Sequence, residues 1–259
     1  MMFSEMRILT DLRGYVTPRA RSMIIAVLLV FVVGSVLVRF ISTPDPNMPP
    51  EHGDEDNIVL HLFEVGGILA ISLAVIHALG RWTRSEVITF FVSCFLFALL
   101  FEDMNIQISG DYSYNDNAWM MVHHTMIAIV LGWCAIVYLV VMIMESSPLT
   151  SNWNPVEKGI VGGILGLTID LGIDATAFAY GLWFWEKGSF FGVPVTNFVG
   201  WFGAIFWFVL STEYLRIRGQ NWNEIRRFKL RILSILPDYL GLLIFVGLGF
   251  ALLHTLGIR

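Results

Sequence analysis

The sequence predicts an all-α, polytopic membrane protein of about seven spanning helices, forming a single integral membrane domain over residues 1–259. Three observations predict it. Hydrophobic residues make up 56% of the 259 and charged residues only 14%, where a soluble domain carries about a quarter charged. Seven stretches come near the roughly 20 apolar residues that a membrane span needs. The Lys and Arg residues sort to one side of those spans, as they do when cytoplasmic loops hold the excess of positive charge. The net charge of −5 therefore hides a segregation by side.

The first expected span, Met23–Ile41, follows Arg7, Arg13, Arg19 and Arg21. Its apolar run is longer than that of a signal peptide, and no small-residue cleavage pattern follows it, so it reads as a retained helix. The others are Ile58–Leu79, Glu86–Phe101, Trp119–Met144, Val156–Leu182, Val195–Tyr214 and Leu233–His254, the third being short. With the N-terminus inside, thirteen of the sixteen basic residues fall on the cytoplasmic side. Four precede the first span, Arg81 and Arg84 lie between the second and third, Lys158 lies at the junction of the fourth and fifth, and six lie between Arg216 and Arg231. The C-terminus is then outside.

The connectors have distinct characters. Ser42–Asn57 is rich in Pro and acid and reads as an outer, solvated connector. Glu102–Ala118 has no Lys or Arg and is too polar to span. Arg216–Arg231 reads as an interfacial amphipathic helix drawn to anionic membrane lipid, which explains its charge better than nucleic acid does. Gly162 and Gly166 form a small-xxx-small pattern that permits close helix approach. Cys94 and Cys134 sit in apolar runs and read as buried small hydrophobes.

Function concentrates in Asp170–Trp201, DLGIDATAFAYGLWFWEKGSFFGVPVTNFVGW. An ionisable residue at membrane depth is costly and marks a functional site by default. Here Asp170 and Asp174 stand four apart, on one face of a helix. In the predicted topology the outer half of the membrane also receives His61 and Glu64, Glu102 and Asp103, the pair His123 and His124, Tyr180 and Asn197. Their convergence at one depth predicts a pocket that opens outward. Taken singly, a histidine of this kind is more often a hydrogen-bonded structural group, and Trp at helix ends is common in interfacial belts.

The segment DxxxDAxAxxxGLWxW followed by GxFFGVPVTNFVGW resembles the carotenoid biosynthesis protein family that includes the carotenoid 1,2-hydratases and the bisanhydrobacterioruberin hydratases. Glu102 and the SGDYSY block (Gly110, Tyr112, Tyr114) resemble the upstream acid and glycine-tyrosine block of that family. The likeness covers about residues 95–215. The WMMVHHTM segment departs from the family pattern, which has no histidine there.

The resemblance implies hydration of the terminal double bond of a linear carotenoid or related isoprenoid in the membrane, with no cofactor. Such a reaction protonates the less substituted alkene carbon, and water captures the tertiary cation. It needs a carboxylic acid that is still protonated near neutral pH, a state that burial and a second carboxylate favour. Asp170 or Asp174 is the expected acid, and its partner or Glu102 holds and deprotonates the water. Trp183, Trp185, Phe191 and Trp201 are candidates to face the cation. Tyr180 and Asn197 are candidates to orient the water, and Tyr112 and Tyr114 to line the substrate site.

Three other readings stay open at this stage. The same acids and aromatics serve a membrane terpene or carotenoid cyclase. A metal-dependent membrane enzyme would use His61, Glu64, His123, His124, Asp170 and Asp174 as ligands for Zn or Fe. A non-enzymatic lipid- or carotenoid-binding protein would tolerate loss of either aspartate proton. No phosphate-binding loop or haem motif points to other chemistry.

Overall fold

A computed structural model describes residues 17–19, 21–27, 58–110, 112–150, 152–186 and 188–256. Among them are six helices long and apolar enough to cross a membrane. They are α1 (Ile58–Leu79), α2 (Arg84–Ser109), α3 (Ile127–Ser146), α4 (Pro155–Ala179), α5 (Val195–Arg218) and α6 (Glu224–Thr255). The all-α, multi-pass architecture is as expected. The first expected span falls outside the described residues except for residues 23–27, which are helical. The Ser42–Asn57 connector lies outside them altogether.

Helix starts follow capping chemistry. At α2 the hydroxyl of Thr83 accepts from the Glu86 amide (3.3 Å) while the Glu86 carboxylate accepts from the Thr83 amide (2.7 Å), a reciprocal cap that satisfies two otherwise orphaned donors. Asn154 caps α4 by accepting from the amides of Val156 (2.9 Å) and Glu157 (3.0 Å), with Pro155 at the first helical position. Asn223 caps α6 by accepting from the Arg226 amide at 2.9 Å.

Helix α4 packs most extensively on α5, α5 on α6, and α1 and α2 on α3, with α2 also against α6. Small residues set the α4–α5 distance. A Cβ at Gly163 would stand 2.8 Å from the Phe202 ring and 2.9 Å from its carbonyl oxygen, and one at Gly159 3.0 Å from Phe206. Gly162 and Gly166 face Val209 and Ile205 of the same helix, so the small-residue pattern does bring α5 close.

Two short sheets lie at one end of the bundle. Strand β1 (Tyr112–Tyr114) pairs antiparallel with β4 (Trp183–Trp185), matching Tyr112 to Trp185 and Tyr114 to Trp183. Strands β2 (Met121–Val122) and β3 (Thr125–Met126) form a hairpin. This end, called the cap end below, holds the C-termini of α2 and α4 and the N-termini of α1, α3 and α5.

Four expected boundaries are corrected. Helix α2 does not stop at Phe101 but runs to Ser109, where Gly110 at φ 64° ends it; Glu102 and Asp103 are thus helical residues. The fourth span starts at Ile127, not Trp119, because the amides of Trp119 and Met120 donate to Glu64 (2.8 and 3.3 Å) and hold the chain in a hairpin approach. The fifth ends at Ala179, and Trp183 and Trp185 lie on a strand. Arg216–Arg231 is not a separate interfacial helix. It comprises the last turn of α5, a short turn with Trp222, and the first turns of α6.

Candidate active site

The site grows from the α4–α5 contact and the cap above it. Asp170 and Asp174, one helical turn apart on α4, are both buried. Because the glycines let α5 approach, Asn197 in its first turn reaches both: its Nδ2 donates to Asp174 Oδ2 at 2.5 Å and to Asp170 Oδ2 at 3.2 Å. Trp201, one turn further along α5, offers its indole as another donor beside Asp174. Asp170 Oδ1 is buried and has no partner among the described residues. Two carboxyls sharing one amide, with an acceptor left over, lack a donor.

A second carboxylate centre stands on α2. Glu102 is buried and accepts three hydrogen bonds, from the Tyr112 hydroxyl, from the Tyr114 hydroxyl at 2.7 Å and from the Trp133 indole N–H at 2.5 Å. Three donors thus converge on this carboxyl, from β1 above and α3 beside it. Burial first, and the Glu102 charge second, push both phenols well above the ordinary tyrosine range, so Tyr112 and Tyr114 remain neutral donors. The two centres are joined by stacked indoles: Trp133 and Trp201 lie with centroids 4.0 Å apart and planes 24° from parallel.

Between them opens a pocket. Glu102, Asn105, Asp174 and Asn197 are its polar groups, besides the tyrosine hydroxyls. Tyr112, Tyr114, Trp133, Trp183, Trp185 and Trp201 form its aromatic walls, with Phe63 and Phe101. Along α3 the lining continues through Gly132, Ala135, Ile136 and Leu139, a single face that descends about 10 Å into the bundle at 1.5 Å per residue. Phe63 meets Trp183 edge-on at 5.5 Å, and Phe101 meets Trp133 likewise at 5.4 Å. The pocket is therefore mostly apolar and aromatic, with a few acidic groups at its cap end, a composition typical of sites for apolar ligands.

The expected residues divide cleanly. Asp174, Glu102, Tyr112, Tyr114, Trp183, Trp185, Asn197 and Trp201 line this pocket, and Asp170 stands behind Asp174 through Asn197. Tyr180 and Phe191 do not line it. Tyr180 is the C-cap of α4, and Phe191 sits half-exposed in a turn at φ 50°.

The histidines go elsewhere. His61 hydrogen-bonds Glu64 at 3.1 Å and stacks on Trp119 at 4.2 Å, so this trio pins the 119–120 segment to α1. His123 and His124 lie on the β2–β3 turn, where His123 hydrogen-bonds Asp103 at 2.8 Å and the His124 amide reaches the same oxygen. The six residues of the Zn or Fe set are thus spread over separate places. Among the described residues, no three His, Cys, Asp or Glu side chains gather as a metal-binding group.

Trp133 is the residue the sequence reading missed. It sits in an apolar run, and only its register on α3, facing Glu102, distinguishes it from packing.

The sequence matches a family model described as carotenoid biosynthesis protein over residues 61–257, wider at both ends than the stretch that carries the quoted motifs. No curated protein and no solved structure matches it.

Proposed function

The chain belongs to the carotenoid biosynthesis protein family, and from that premise we propose that it hydrates the terminal double bond of a linear carotenoid, using the Asp170–Asp174 pair as its acid. Membership places the chain in carotenoid biosynthesis. The observation that carries the reaction is the buried aspartate pair under one shared amide, opening through Asp174 onto an aromatic pocket.

In this reading the polyene end lies among the indoles and phenols with its terminal alkene against Asp174. The carboxylic acid gives its proton to the less substituted carbon, the π pair forms the new C–H bond, and a tertiary cation remains. Aromatic faces each stabilise such a cation by about 0.5–2 kcal/mol when desolvated. Water then forms the C–O bond and returns a proton to the aspartate pair, so the net change is the gain of one water.

Glu102 takes a different role from the one first expected. Three donors already occupy it, which leaves it poorly suited to deprotonate water. A fixed negative charge across the pocket from the acid is suited to stabilising the cation as it forms. The attacking water is better held on the pocket side of the aspartate pair, by Asp174 and Asn197.

The test is pigment analysis in cells that accumulate linear carotenoids, expressing the chain or its Asp174→Asn form. The expected product is heavier by one water with the native chain and falls at least a hundredfold in the variant, as for loss of a general acid. An isomer of unchanged mass would point to a cyclase. Unchanged pigments with a well-expressed native chain would overturn the reading.

A further inference from the structure

A second pocket lies at the opposite end of the bundle from the aspartates, among the N-terminal turns of α2 and α6 and the C-terminal turns of α3 and α5. Nothing in the proposed reaction uses it. Its most unusual member is Arg231. This side chain is only 4% exposed, yet Nε and Nη2 of its guanidinium have no partner among the described residues. Its Nη1 is fully engaged, its two N–H groups facing three acceptors, Asp238 (2.8 Å), Ser211 (2.9 Å) and Ser234 (2.6 Å), and the Phe208 ring covers its face at 4.1 Å. What remains is one edge of the fork, the edge that takes two oxygens of an oxyanion side by side.

The acids that also line the pocket are committed to other groups. Glu145 pairs with Arg81 and Arg216, Glu213 with Lys158 and Arg216, and Glu86 caps α2. Arg227 donates its Nε to the Trp222 carbonyl at 3.1 Å and stands 4.0 Å from Glu86, with its side chain 39% exposed at the mouth and its Nη2 directed to no acceptor among the described residues. Ser85, Thr89, Thr212, Trp82 and Trp222 also line it, with the apolar Phe90, Val141 and Leu215.

We propose that this pocket binds the phosphate of an anionic membrane lipid, held by the free edge of Arg231 and by Arg227. The source is lipid because the pocket sits at the ends of helices long and apolar enough to span a membrane, and at the end where the basic residues collect. The helix ends around it expose Tyr214, Ile217 and Ile225, which suit acyl chains rather than bulk water. The proposal does not rest on the hydratase reading and stands or falls separately.

The experiment is native mass spectrometry of the purified full chain titrated with phosphatidylglycerol, with phosphatidylcholine as the zwitterionic control and inorganic phosphate as competitor. One phosphatidylglycerol is expected to bind at least tenfold more tightly than phosphatidylcholine. Arg231→Lys, which keeps a charge for Asp238 but removes the fork, is expected to lose most of that preference. Thr89→Phe fills the pocket and leaves the Arg231–Asp238 pair intact, so it keeps the test open if the arginine variant does not fold. It too is expected to lose the preference. Equal binding of the two lipids, or phosphatidylglycerol binding unchanged in Thr89→Phe, would overturn the proposal. Saturable binding of inorganic phosphate, lost in Thr89→Phe, with no preference between lipids would overturn the lipid source and retain a phosphate site.

Discussion

At the scale of single residues, the two acid centres differ in how many donors they hold. Glu102 has three and the aspartate pair has one shared amide with the Trp201 indole beside it. In the proposed reaction that contrast gives Glu102 the part of a fixed charge and the aspartate pair the part of proton exchange. Trp133→Phe tests the assignment, since it keeps a ring against Trp201 and deletes one donor to Glu102. Loss of a hydrogen bond to a buried carboxylate is expected to cost about 1–3 kcal/mol, read by denaturant unfolding of the detergent-solubilised chain, with product formation reduced. Unchanged stability would mean that Glu102 does not depend on the indole. The aspartates were legible in the sequence because a charge in an apolar helix is costly and a four-residue spacing fixes a face. Trp133 was not legible, because an indole in an oily run looks the same whether it packs or donates. His123 and His124 misled for the converse reason: the sequence shows their proximity but not the turn that holds them away from the pocket.

At the scale of elements, two glycines do opposite things. A Cβ at Gly163 would collide with Phe202, side chain and backbone alike, whereas one at Gly132 meets nothing within 4 Å. Gly163 therefore sets the α4–α5 approach that carries Asn197 to both aspartates, and Gly132 leaves open space along the descending face of α3. Gly163→Leu is expected to push the helices apart, lowering both the melting temperature and product formation. Gly132→Phe is expected to leave the melting temperature within a few degrees and to block the pocket, cutting product formation at least tenfold. Full activity in Gly132→Phe would mean that the polyene does not run along α3. The small-xxx-small pattern was readable from spacing alone. The cap strands were not, because two- and three-residue strands have no period to read. The boundary of α2 was missed because Glu102 and Asp103 look like the end of a span until the donors that satisfy them are placed.

At the scale of the whole molecule, the two pockets lie at opposite ends of one bundle, and the basic residues crowd the end away from the aspartates. If positive charge marks the cytoplasmic side, the acid pocket opens outward and the Arg231 pocket faces the inner leaflet. The orientation follows from loop charges alone, so it needs a test independent of either pocket's chemistry. The two native cysteines are 1% and 2% exposed, which makes the chain nearly silent to a membrane-impermeant maleimide. A single new cysteine at Asp116, exposed on the cap, is expected to label on intact cells. One at Gln220, exposed in the turn between α5 and α6, is expected to label only after lysis. The reverse pattern would place the acid pocket on the cytoplasmic side. It would also remove the charge argument for an inner-leaflet lipid while leaving the geometry of Arg231 untouched. Labelling at both positions on intact cells would instead mean that the two ends are not separated by a membrane.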